Sequence, residues 1–170
     1  MGIALGALLV AAALVHSAWL VRLPVEGQIV DPALPLLIAI AFRWPQWGPL
    51  AGLGAGLLQD LLFGGSLGLF ALAKLLVGQG AAVLGRTVLV DQPLLPWITT
   101  AAATVVQQIV LGIVLVITDL LPVSVGDFGR PLLAGIGLNL LAVWPAFALV
   151  RALVALSERR RIRGEGAHGL

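Results

Sequence analysis

Between Gly52 and Lys74 the chain is almost wholly apolar, yet it carries one carboxylate, Asp60, one ammonium, Lys74, and a glycine-rich break, Gly64-Gly65-Ser66, between them. An ionised group near the centre of a bilayer costs about 2.5–3.5 kcal/mol on insertion scales, so an apolar run should exclude charge unless the charge serves a purpose. Composition decides which solvent this run meets. Of the 170 residues, 60% are hydrophobic and 11% charged, too few polar side chains to cover a soluble domain of this size. Long apolar runs recur from end to end and leave no room for a separate soluble domain. The expected fold class is therefore all-α, a polytopic membrane protein.

Several function classes fall away at once. Cysteine is absent, which excludes disulfides, thiolate metal sites and a cysteine nucleophile. His16 and His168 are too few and too scattered for a metal centre, and no cofactor is implied. Most of the basic excess sits in Arg159, Arg160, Arg161 and Arg163 near the end of the chain. That pattern reads as a cytosolic anchor, and no basic domain exists to hold nucleic acid. Ser66 and Ser124 lack a histidine and acid to activate them, and no Walker loop occurs. Gly52-x-Gly54 lies inside an apolar helix rather than after a strand, so it is not a nucleotide fingerprint. No catalytic residue is assigned, and the expectation is a non-enzyme.

Six apolar segments follow from the spacing of breakers and anchors. Segment one, residues 3–21, is closed by Arg22 and Pro24; without a basic start or a small-x-small cleavage site it reads as a retained span. Segment two opens at Asp31-Pro32, an N-cap followed by proline at the first helical position. It stops at Phe42, roughly 16 Å of helix, which is short for a core of about 30 Å and fits a tilted span or a re-entrant piece. Arg43, Trp44, Pro45 and Trp47 form an interfacial turn. Segments three (about 49–63) and four (about 67–84) are antiparallel neighbours across Gly64-Gly65-Ser66. Segment five covers 94–117. Segment six covers 131–153, with a kink expected at Trp144-Pro145. Residues 1–157 thus form a helical bundle and 158–170 a basic cytosolic tail.

Arginine placement orients the bundle. With six spans and the tail inside, Arg43, Arg86, Arg151 and the tail arginines are cytosolic, whereas Arg22 and Arg130 lie outside with Glu26, Asp31, Asp119 and Asp127. The positive-inside rule favours this topology, with both termini cytosolic.

On that topology His16, Gln107, Gln108 and Asn139 fall toward the outer half of the bundle and could line a polar pocket. The plainer reading is interhelical hydrogen bonding that sets packing, worth under ~1 kcal/mol per contact. For Asp60 and Lys74 the first expectation is an intramembrane ion pair, the lysine snorkelling about one helical turn outward. The alternatives are Asp60 accepting the free amides that open segment four, or direct contact with a substrate or ion. Gly48, Gly52 and Gly56 share one face of segment three. Such a face permits close helix approach, either within the bundle or to a partner's span.

The run from Gly56 to Leu72, with Asp60, Gly64, Leu67, Gly68 and Ala71 in register, resembles the MreD family of bacterial rod-shape proteins. The resemblance rests on an aspartate in an apolar helix, a short glycine-rich turn, then Leu-Gly and a small-residue helix. It covers some 35 residues; the remainder matches in length and hydropathy, and Lys74 has no secure place in the pattern. It implies a non-catalytic scaffold in the inner membrane that helps maintain cell shape within the elongasome, or rod complex. Its implied partner is an MreC-like single-span protein, with RodA polymerase, a class B penicillin-binding transpeptidase and MreB around that pair. The fold it implies is similar to the six-helix substrate-binding subunits of energy-coupling-factor transporters. That similarity also supplies the alternative function, a membrane subunit that binds a vitamin-sized solute, for which Ala7-x-x-x-Ala11 would suit docking to a transporter.

Overall fold

The computed structural model describes residues 31–63, 67–87, 92–117 and 129–166. Segment one with His16, the Gly64 break and the 118–128 connection fall outside the described residues. Those residues form helices and no strands: α1 (Ala33–Arg43), a 3₁₀ turn (Pro45–Trp47), α2 (Gly48–Phe63), α3 (Leu69–Thr87), α4 (Leu95–Ile117), α5 (Gly129–Leu141) and α6 (Val143–Gly166). Among the described residues, three helical stretches are long and apolar enough to cross a membrane, Leu69–Thr87, Leu95–Val114 and Leu132–Leu156.

The shortest of these helices sits at the centre. Every residue of α1 from Ala33 to Phe42 is buried, as expected of a helix apolar on all sides. Leu34, Leu37, Ile38 and Ala41 pack with Val77 and Ala81 of α3 and Ala103 of α4. Leu36, Ala39 and Ile40 face the other way, onto Ala55 of α2 and Val150 of α6. The helix ends because Pro45 excludes the helical conformation for the residue before it: Trp44 is extended at φ −137°, ψ 76° and closes the last turn through Trp44 N–H to the Ile40 carbonyl at 2.8 Å.

The α2–α3 hairpin is held by glycine. A Cβ at Gly52 would fall on the Lys74 carbonyl, one at Gly56 on the Ala71 backbone, and one at Gly48 on the Gly78 carbonyl. Of the two readings of the small-residue face of segment three, packing within the bundle is the one these contacts support, and the face is not open to a partner's helix. A face on which backbone meets backbone has no room for a third helix.

The α5–α6 break falls at Ala142 rather than at Trp144-Pro145. Proline lacks an N–H and its ring crowds the carbonyl four residues back, so the distortion lies upstream of it. Ala142 N–H is shared between the Leu138 and Asn139 carbonyls at 3.3 and 3.2 Å. Beyond the break α6 continues past residue 158 to Gly166, so the bundle and the start of the basic tail share one helix.

Outside the core, the polarity of a soluble protein is inverted. Leu61, Ile98 and Ile113 are more than half exposed, whereas Asp31, Lys74, Asn139 and Gln107 are 0–1% exposed. Apolar surface outward and polar groups inward is the arrangement a bilayer permits.

Candidate functional site

The buried polar residues gather where α1 begins. A helix as short as α1, with its Arg43-Trp44 end at the bundle's edge, places its first residue deep inside. Asp31, the residue before Pro32, is 0% exposed. Its Oδ1 accepts the Ala33 N–H at 3.2 Å, which caps the helix as its sequence suggested. Its Oδ2 pairs with Lys74 Nζ and accepts a hydrogen bond from Gln107 Nε2 at 3.1 Å. Lys74 Nζ also donates toward Gln107 Oε1 at 3.4 Å, so ammonium, carboxylate and amide close a triangle.

A second arm reaches α5. Asp31 N–H donates to Asn139 Oδ1 at 2.9 Å. Asn139 Nδ2 donates to Thr104 Oγ1 at 3.1 Å, and Thr104 Oγ1 donates to the Thr100 carbonyl at 2.9 Å. The cluster thereby ties the start of α1 to α3, α4 and α5.

Lys74 reaches the triangle because helix side chains lean toward their helix N-terminus. Its backbone is pressed against Gly52 on α2, and its side chain turns to α1 and α4. The charges cancel within the triangle, and the remaining polar atoms find partners, the condition under which a buried ion pair is tolerated.

Asp60 forms a separate site. It is 2% exposed, and its oxygens accept the backbone N–H groups of Gly68 at 2.9 Å, Phe70 at 2.9 Å and Ala71 at 3.2 Å. These are amides that open α3 and have no partner within it. A carboxylate there also meets the positive end of the helix dipole. Gly68 has φ +102°, a conformation that favours glycine and that turns its N–H back to Asp60. The expected Asp60–Lys74 ion pair is corrected. Asp60 is saturated by main-chain donors, and the lysine meets a stronger claimant in Asp31.

Of the polar residues singled out in the sequence, Gln107, Asn139 and Lys74 come together. Gln108 is half-buried and stands outside the hydrogen-bonded cluster, and His16 lies outside the described residues. Sequence reasoning missed two members. Asp31 reads in the sequence as an N-cap and an outer-side charge rather than as a partner of Lys74, and Thr104 is one of several threonines that nothing in the sequence sets apart. A signal for Asp31 was present: a half-length apolar helix anchored at one end must start at mid-depth, and its first carboxylate then needs the chain's sole lysine.

Among the described residues, three further buried side chains have polar atoms without a hydrogen-bond partner: Gln59, at both amide atoms, and the hydroxyls of Thr99 and Thr100. Among the described residues no group of three or more His, Cys, Asp or Glu side chains is placed to hold a metal ion.

In comparisons with protein-family models, with curated proteins and with solved structures, none matches this chain.

Proposed function

We propose that the chain is a non-catalytic, six-span scaffold of the MreD type in the bacterial cytoplasmic membrane, docking the transmembrane helix of an MreC-like protein within the cell-wall elongation machinery. One observation carries this reading. The three buried charged side chains among the described residues, Asp31, Asp60 and Lys74, are all engaged in holding the bundle together. What the molecule offers outward is lipid-facing helix surface. The run that supports the family resemblance also has a physical purpose, since Asp60, Gly68 and Ala71 are parts of one helix cap.

With the Gly48, Gly52 and Gly56 face occupied, the partner helix docks on the opposite side of α2, where Leu50, Gly54, Leu57 and Leu61 are exposed at helical spacing. Gly54 is a notch in that row, and a Cβ there meets nothing within 4 Å. Gly54→Leu should therefore leave the bundle folded while abolishing co-purification with a single-span MreC-like partner. Normal retention of the partner by this variant moves the docking face elsewhere. Failure of the unaltered protein to co-purify with any such partner overturns the scaffold reading.

The proposed sidedness puts Arg43, Arg86 and Arg151 in the cytosol. Its support is that the three gather at one end of the bundle. Gly85 packs on Phe42, next to Arg86 and Arg43, and Arg43 and Arg151 line one groove. A reporter fused after Leu170 and active only outside the cell would reverse it.

The orphaned Gln59 amide favours one second reading, a solute-binding transporter subunit, since a buried amide without partners is a ready contact for a small polar molecule. Vitamin retained through purification, and lost in Gln59→Leu, would support that reading over the scaffold.

A further inference from the structure

At the end of the bundle where α1 stops, a groove of about 290 Å³ opens between α1 and α6. Its walls include Phe42, Phe147, Val150 and Ala155, and two guanidinium groups, Arg43 and Arg151, stand on it. We propose that this groove is a binding site for an anionic membrane phospholipid, with the phosphate held by Arg43 and Arg151 and an acyl chain along the apolar walls.

The charge argument comes from Arg151. It lies within the apolar stretch Leu132–Leu156 that is long enough to span a membrane, five residues from that stretch's end. An arginine so placed normally extends its head toward water. Here Nε donates to the Phe147 carbonyl at 3.3 Å, one turn back toward the middle of the span. The guanidinium is thus held along the helix, with its terminal nitrogens left for another acceptor. Among the residues whose side chains are described, no carboxylate pairs with Arg151 or Arg43. Two guanidiniums standing on one groove at the end of a span attract an anion, and a phosphodiester offers oxygens suited to arginine's planar donors.

The shape argument comes from the walls. Phe42 and Phe147 meet edge to face, centroids 6.0 Å apart, and give the groove a rigid apolar floor. Arg43 is steadied by the Trp44 ring, its Cζ 5.4 Å from the centroid, at the depth where tryptophan marks the headgroup layer. A soluble anion would use the arginines and leave the apolar walls without purpose, whereas a phospholipid uses both. Basic pockets between spans on the cytosolic side are sites at which anionic headgroups collect, which agrees with the proposed sidedness.

The test uses the full chain in nanodiscs of equal phosphatidylglycerol and phosphatidylcholine, with the lipids that remain bound after ejection counted by native mass spectrometry. The unaltered protein should retain phosphatidylglycerol preferentially. Arg43→Gln with Arg151→Gln should lower the bound phosphatidylglycerol-to-phosphatidylcholine ratio about tenfold, the effect of losing about 1.4 kcal/mol of differential binding. Arg86→Gln, an exposed arginine that does not line the groove, should leave the ratio unchanged. Ala155→Trp, which fills the groove while keeping both charges, should lower retention of phosphatidylglycerol. An unchanged ratio in the double variant, or an equal fall in Arg86→Gln, overturns the site. Undiminished retention in Ala155→Trp does the same, because it shows charge without the groove to be sufficient.

Discussion

Asp31 and Asp60 are both buried carboxylates, 0% and 2% exposed, and the chain accommodates them by opposite means. Asp60 is satisfied by its own hairpin, through amides 8, 10 and 11 residues ahead. The Asp31 carboxylate accepts one amide of its own helix, from Ala33, but its other partners lie across the molecule, 43 and 76 residues away, and its main-chain N–H reaches Asn139, 108 residues away. The first arrangement closes a turn, and losing it loosens one helix end. The second fixes where a half-length helix sits among three others. In a membrane that positioning is not supplied by burial, because lipid tails are as apolar as leucine. Polar contacts and close packing set the register of α1, and the difference between the two sites is one of reach.

The largest effect should come from breaking the long-range site at its charge. Lys74→Met removes the counter-ion of the Asp31 carboxylate, and breaking a buried pair by removing one partner costs about 3–5 kcal/mol. The variant should show a steep loss of folded protein in reversible unfolding from lipid bicelles. Adding Asp31→Asn should restore more than half of that loss, since a neutral amide is left where a carboxylate without its counter-ion stood. Asp60→Asn should give no comparable rescue of Lys74→Met. Equal rescue by both would mean that the two carboxylates share the lysine, and the division into two sites would fail.

Next comes the local site. Asp60→Ala orphans the N–H groups of Gly68, Phe70 and Ala71, and losses at helix caps run to about 1–2 kcal/mol. Hydrogen exchange should rise at the first turn of α3, while amides of α1 remain as protected as before. Exchange that spreads into α1 would show that the cap and the central helix unfold together.

This contrast also explains what the sequence made legible. The all-helical class, the apolar stretches and the antiparallel α2–α3 pair depend on composition, breakers and near neighbours, and each can be read along the chain. The Asp60 cap was legible as one of three alternatives, because donor and acceptor lie within a dozen residues. The Lys74 partner was not. Two carboxylates compete for one ammonium, and the winner depends on the depth at which α1 begins, which tertiary packing decides. The glycine face was legible as a close-packing surface, but its partner was open until the Gly52–Lys74 approach fixed it.

A smaller effect tests the arm of the long-range site that carries no charge. Thr104→Val keeps the side chain's shape and leaves Asn139 Nδ2 without its acceptor, a loss of about 1 kcal/mol. Its cost should shrink in the Asn139→Leu background, where that donor is gone, and should be unchanged in the Asp60→Ala background. A change in the latter would connect the two sites through α4.

The smallest effect returns to the hairpin. Gly68 at φ +102° supplies a backbone shape that an L side chain adopts only at a cost of about 1 kcal/mol. No atom crowds a Cβ there, so Gly68→Ala should express that conformational cost without a clash. Two consequences separate the sites further. In the Lys74→Met background the cost of Gly68→Ala should add in full, because the turn and the ion pair have no atoms in common. In the Asp60→Ala background it should fall, because Gly68 then no longer has to present its N–H to a carboxylate and the turn can relax to a commoner conformation. If Gly68→Ala instead costs the same with and without Asp60, the turn is held by its surroundings rather than by the cap, and Asp60 is a follower of the hairpin instead of its cause.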